Sequence, residues 1–304
     1  MAYAFETVDV FTESQFGGNP LAVFPDARGL SDAGMQALAA EFNLSETTFV
    51  LPPGDKANTA RMRIFNRTAE MPFAGHPSIG TAYVLARAGL APGDMLRLEV
   101  PAGIVRVAVE RDAAGQVIGA KLDAPQPLST GPAVPADTIA ACLGLRPADV
   151  LTTRHPPVVA SVGNSFVIAQ VDEEALARCM PEVRAFRTAA AQLPELMGRF
   201  PILVYAGTGA VLRARMFSPL SGTVEDPATG SANAPLGALL LSLGSAAEAR
   251  FTVRQGVEMG RPSTLHVSAQ RGPDGITASV AGRCVPVFRG EFAPQGAQGG
   301  GAEP

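Results

Sequence analysis

Three cysteines in 304 residues, Cys142, Cys179 and Cys284, stand too far apart for a CxxC motif or a disulfide framework, and such scattered thiols suit a reducing cytoplasm. Histidine is equally scarce: His76, His155 and His266 are dispersed and no HExxH occurs, so metal catalysis has little to build on. Positive charge is in short supply too. With 24 Lys and Arg against 28 Asp and Glu, the net charge of −4 argues against the electrostatic footprint of a nucleic-acid-binding protein. The longest apolar run, within LGALLLSLG, is too short to span a bilayer, and the start MAYAFETVDVF lacks the basic-then-apolar layout of a secretion signal. These absences predict a cytoplasmic protein with no metal, no membrane and no nucleic-acid partner.

What is present is ordinary in composition, 47% hydrophobic and 17% charged, and unusual in arrangement. EMPFAGHPSIG and EDPATGSANAP share a skeleton that pairs Glu70 with Glu225, Pro72 with Pro227, Gly75 with Gly230 and His76 with Ser231, all 155 residues apart. Upstream, Arg63-Ile64-Phe65 answers Arg215-Met216-Phe217, and Gly18-Asn19-Pro20-Leu21-Ala22-Val23 answers Gly163-Asn164-Ser165-Phe166-Val167-Ile168. Three matches in one order read as an internal duplication with one domain per copy. A cleft forms where such halves meet, and small ligands bind in clefts.

The local patterns predict an α+β fold of two pseudo-symmetric domains. AYAFETVDVF, LAVFP, ETTFVLP and ARMRIF read as strands, and Ser31 to Phe42 as a helix capped by Ser31 with an apolar stripe at Met35, Leu38, Ala39 and Phe42. SIGTAYVLARAGL and SANAPLGALLLSLG are apolar on nearly every face, so each must be a helix enclosed by protein, wrapped in the strands that follow it. Gly75 and Gly230 then lie at the mouths of buried helices, where unpartnered amides and the positive end of the dipole accept a carboxylate or phosphate. If both helix starts point into one cleft, His76 and Ser231 stand at its lips. The boundaries predicted are 1–127 and 128–290, with a turn-rich linker around residue 130 and a disordered Gly-rich tail over 291–304.

GGNPLAVF, SETTFV, PFAGHPSIGTA, EDPATGSA and QGVEMGRPS together resemble the PhzF family of phenazine-biosynthesis isomerases, over about Phe5 to Phe288. The resemblance implies a diaminopimelate-epimerase-like fold in which each domain rolls a sheet around a central helix. It also implies a cofactor-free acid/base site between the domains, a final strand, about 281–289, that returns to the first domain, and a homodimer. Carried over residue by residue, the catalytic positions are Glu46, His76, Asp226 and Ser231, with Gly75, Gly230 and Asn19 binding substrate. Glu46 would move a proton between carbons of a small carboxylate-bearing metabolite.

Blander readings stand beside these. Asp226 and Ser231 are also good helix-capping residues, Glu70 and Glu225 read as partners for Arg63 and Arg215, and His155 and His266 read as surface residues of a loop and a strand. GTGAVL lacks the third glycine of a dinucleotide loop and predicts a hairpin turn at Gly207 to Gly209. Neither duplicated turn contains a cysteine, which disfavours a two-thiol epimerase. Epimerisation or dehydration beside a carboxylate, and non-catalytic binding of a small acid, remain the alternatives to isomerisation.

Overall fold

Runs of β-branched and aromatic residues broken by Gly, Pro and Asn make most of the chain strand, and the computed structural model, which describes residues 2–91 and 93–294, shows how they are joined. The first half comprises β1 (Tyr3–Val10), β2 (Asn19–Phe24), α1 (Asp32–Phe42), β3 (Glu46–Leu51), β4 (Ala60–Phe65), β5 (Glu70–Met71), α2 (Gly75–Arg87), β6 (Met95–Val100), β7 (Gly103–Arg111), β8 (Val117–Asp123) and, at its end, β9 (Ser129–Ala133). The second comprises α3 (Ala136–Leu143), β10 (Val150–Leu151), β11 (Val158–Ser161), β12 (Ser165–Val171), α4 (Glu173–Arg178) and α5 (Val183–Gln192). It continues through β13 (Ile202–Ala206), β14 (Val211–Ser218), β15 (Thr223–Asp226), α6 (Gly230–Ser242), β16 (Glu248–Gln255), β17 (Ser263–Gly272) and β18 (Gly275–Phe292).

The pairing repeats between halves. β1–β2, β3–β4, β4–β5, β6–β7 and β7–β8 are antiparallel while β2–β3 and β4–β6 are parallel. β11–β12, β13–β14, β14–β15, β16–β17 and β17–β18 follow the same pattern, as do the parallel pairs β12–β13 and β14–β16. The two halves are therefore copies of one α+β fold. At the junction the equivalent strands β8 and β18 pair with each other, Ala281 opposite Lys121. Each half also lends a strand to the other: β9 pairs with β11, and β18 runs on from β17 to pair with β1, from Cys284 opposite Val10 to Phe292 opposite Tyr3.

The two apolar helices are enclosed as their composition requires. Every residue of α2 from Gly75 to Leu85 is buried, and α6 is buried throughout except Ser231 and the final Ser242. Both pack into one core shared by the halves. Close approach is built in by Gly80, where a Cβ would come within 2.6 Å of Leu21 and 2.8 Å of Val10. α1 covers a separate aromatic cluster of Phe24, Phe49 and Phe65. It starts where predicted, with Ser31 Oγ accepting from Gly34 N at 3.1 Å, and ends at Asn43 in the left-handed region. In the second half α3, α4 and α5 cover a third core.

Three expectations need correcting. The segment around residue 130 is not only a linker, since β9 lies within it; Gly131 and Pro132 hide a strand from a composition-based reading. Glu291 and Phe292, predicted to lie in a disordered tail, belong to β18, and Phe292 stacks on Tyr3; residues 295–304, the rest of that prediction, lie outside the described residues. His155 is buried rather than exposed, with Nε2 2.8 Å from the Tyr205 hydroxyl and Nδ1 2.7 Å from the Pro156 carbonyl. His266 is on the exposed face of β17, and Gly207 to Gly209 turn the β13–β14 hairpin as read.

Candidate active site

The paired motifs end in matching scaffolds. Arg63 grips Glu70 through Nε and Nη2 at 2.8 and 2.6 Å, and Arg215 grips Glu225 through the same atoms at 2.8 and 2.9 Å. Each guanidinium also lies over the aromatic ring two residues on, Phe65 at 5.0 Å and Phe217 at 4.9 Å. These forks fix the ends of β4–β5 and β14–β15, and so aim the turns that enter α2 and α6. Both helices begin without a side-chain cap. The first two amides of each helix, Gly75 and His76 in α2 and Gly230 and Ser231 in α6, have no intrahelical acceptor and are left for another partner.

The two helix starts meet. A Cβ on Gly75 would stand 3.6 Å from the amide nitrogen of Ser231, and both turns open on a cavity of about 440 Å³ walled by residues of both lobes. Glu46, Gly75, His76, Asp226, Gly230 and Ser231 all line it. Asn19, expected to bind substrate, is not among the lining residues: it is fully buried behind the wall, while its counterpart in the duplication, Asn164, lines the cavity. The repeat motif could have pointed to Asn164, but only the fold shows which copy is on the inside. Phe73, Phe166 and Met216 supply apolar wall, and Arg67 bridges the lobes by donating to the Gly222 carbonyl.

Burial controls the charges. Glu46 sits at the start of β3 with its side chain 15% exposed, and its Oε2 faces His76 Nε2 at 3.3 Å with neither atom in a hydrogen bond. Desolvation, helped by the nearby Asp226 and opposed by Arg67, pushes its carboxyl up to about 8. Desolvation pulls His76 down to about 3, so its ring is neutral. Asp226 closes β15. Its Oδ1 accepts from Asn19 Nδ2 at 2.9 Å and its Oδ2 from Thr229 Oγ1 at 2.5 Å. Burial raises it to about 6 against the opposing effect of those two bonds. Two acids with separated protonation ranges, a neutral imidazole and two open helix ends thus share one cavity, an arrangement able to hold an anion and move a proton beside it.

The duplication is broken wherever these groups stand. Register carries Glu46, opposite Leu21, onto Pro201, whose carbonyl accepts from Val167 N; at the offset of the paired turns, Asp226 falls on Met71 and His76 on Ser231. Both Pro201 and Met71 line the cavity, so neither acid has a second copy there. None of the three cysteines lines it. No group of residues able to hold a metal ion occurs among the described residues, and no helix among them is long and apolar enough to cross a membrane.

Comparison with known proteins agrees with this architecture. Residues 8–290 match the model of the phenazine biosynthesis-like protein family, PhzC-PhzF. The chain is 38% identical to a trans-2,3-dihydro-3-hydroxyanthranilate isomerase of Pseudomonas aeruginosa, with 91% of this chain and 94% of the relative covered. It is 36% identical to an uncharacterized isomerase of Mesorhizobium japonicum over 93% of this chain and 96% of that one. The crystal structure of a Bacillus anthracis phenazine biosynthesis protein of the PhzF family superposes with a TM-score of 0.85 at 26% identity, covering 97% of this chain and all of that one. With its two-lobed diaminopimelate-epimerase-like fold, the chain belongs to the phenazine biosynthesis-like family and is an enzyme of the isomerase class.

Proposed function

We propose that the protein is a cofactor-independent isomerase that relocates a proton, and with it a double bond, in a small carboxylate-bearing metabolite. The ligand's carboxylate is held by the first-turn amides of Gly75, His76, Gly230 and Ser231 and by the Ser231 hydroxyl. Glu46, ionised, takes a proton from the activated carbon and returns it at another position; His76 and Asp226 orient the ligand's polar substituents as charge spreads through it. The apolar recess beside the helix starts, lined by Ile79, Leu122 and Val280, takes a carbon face of the ligand. The reaction is enclosed by both lobes, and the working form is a homodimer in the cytoplasm.

The observation that carries this reading is the asymmetry of the two acids: the duplicated position of Glu46 holds Pro201, and the cavity's other acid, Asp226, accepts hydrogen bonds from Asn19 and Thr229, whereas no hydrogen bond engages Glu46 Oε2. One carboxyl that both removes and restores the proton suits relocation along one ligand face.

The test is proton exchange. Candidate acids, beginning with the compound in the Pseudomonas relative's name, are incubated with the protein in deuterated water and their carbon-bound protons followed by NMR. Label entering at a shifted position with configuration retained is the expected result. Inverted configuration would favour an epimerase, and binding without exchange a carrier. Glu46→Gln is expected to lower exchange at least a thousandfold while ligand affinity changes by less than about threefold; unchanged exchange removes Glu46 from the mechanism.

A further inference from the structure

Asn19 touches the polar groups of both lobes without reaching the cavity. Its Nδ2 lies 2.9 Å from Asp226 Oδ1, 2.9 Å from the Ala228 carbonyl oxygen and 3.3 Å from His76 Nδ1. A main-chain carbonyl can only accept, so the nitrogen of the amide is the atom on this side and its two hydrogens are directed at Ala228 and Asp226. A proton on Nδ1 of His76 would then confront an N–H group and find no acceptor. The neutral ring is left with its proton on Nε2, the atom that faces Glu46 Oε2. Asn19 has no freedom to adapt: Arg261 donates to the Gly18 and Gly17 carbonyls at 2.9 and 2.7 Å and to Asp9 Oδ1 at 2.6 Å, clamping the turn just before it.

We propose that Asn19 is a positioning residue: it holds His76 as the Nε2–H tautomer, whose N–H group faces Oε2 of Glu46 from 3.3 Å and so leaves Oε1 as the oxygen that carries the travelling proton. When Glu46 is protonated, its O–H sits on Oε1, because Oε2 faces the positive end of the imidazole N–H. In the forward step the ligand C–H bond breaks, its proton forms the O–H bond on Oε1, and its electron pair passes into the ligand's double bonds. In the return step the Oε1–H bond breaks and the proton forms a new C–H bond at another carbon. His76 keeps its proton throughout. This chemical consequence rests on the reading of Glu46 as the shuttle; the tautomer itself does not.

The chain contains its own reference. His155 faces the Pro156 carbonyl through Nδ1 and the Tyr205 hydroxyl through Nε2, which requires the opposite tautomer, Nδ1–H. Imidazole-nitrogen NMR of the full chain, with the three histidines assigned by deleting one at a time, reads both. The expected result is Nε2–H for His76 and Nδ1–H for His155 at neutral pH. An Nδ1–H or averaged His76 in the wild-type protein overturns the proposal without recourse to any variant. Asn19→Leu removes the N–H group opposite Nδ1 at nearly constant volume and is expected to let His76 populate both tautomers while His155 is unchanged; a folded variant that keeps Nε2–H alone overturns it as well. If the tautomer is as expected but Glu46→Gln still exchanges protons, the shuttle reading fails and the positioning role stands. The reverse pattern sinks the positioning role alone.

Discussion

At Glu46, burial produces two separable effects of pH. As a base it must be ionised, and with its carboxyl raised to about 8 only about one molecule in ten is ready at neutral pH. The rate constant kcat/KM for an exchanging acid is therefore expected to climb with unit slope and level off above about pH 8; a midpoint near the ordinary glutamate value would contradict the burial effect. Stability runs the opposite way. The unfolded chain ionises near 4.5 and the folded one near 8, so the folded state is favoured below the first value and loses that advantage as pH rises through the second. Glu46→Gln removes the loss. The variant is expected to gain on the order of a few kcal/mol over the wild type in urea melts at alkaline pH, and little at pH near 4.5. Much of this site was legible in the sequence: Glu46, His76, Asp226 and Ser231 converge as their motifs suggested. Asn19 and Asn164 were not distinguishable, because equivalent residues of a duplication carry the same motif and differ only in which way the fold turns them. His155 was misread for a related reason, since its partners Tyr205 and Pro156 are contacts that a loop-like composition does not reveal.

At the level of elements, α2 and α6 were readable because a helix apolar on all sides has only an interior to occupy. Less readable was how tightly they are held. Gly80 of α2 lies against Leu21 and Val10 so closely that Gly80→Ala must push β1 and β2 away, despite the better helix propensity of alanine. A net loss of about 1–3 kcal/mol is expected, measured as a lowered urea midpoint with unchanged slope; a stabilised variant would show that the contact yields freely. β9 escaped detection because glycine and proline are weak strand formers, and its pairing with β11 is decided by a partner about thirty residues away.

On the scale of the whole molecule, the two lobes are tied by reciprocal strands, β9 going one way and the second half of β18 the other. Ending the chain after Arg283 removes one of the two partners of β1, leaving only β2, and bares an edge beside the core residues Val8 and Val10. Such a truncation is expected to be insoluble or to lose its cooperative unfolding transition; a monodisperse, fully folded product would refute the structural role assigned to that strand. All three thiols are buried, and burial raises Cys142 and Cys179 to about 12 and Cys284 higher still. The native protein is expected to be silent toward a thiol-specific dye over hours and to release three equivalents once unfolded; rapid labelling of any one would show a lobe opening on its own.

The unequal placing of acids in the two lobes makes a nearly two-fold object handed. Glu46 lines the cavity from one lobe and its counterpart Pro201 from the other, so with Glu46 as the proton carrier we propose that hydrogen leaves and arrives suprafacially. In deuterated water the product of a single turnover should carry its label at one diastereotopic position alone.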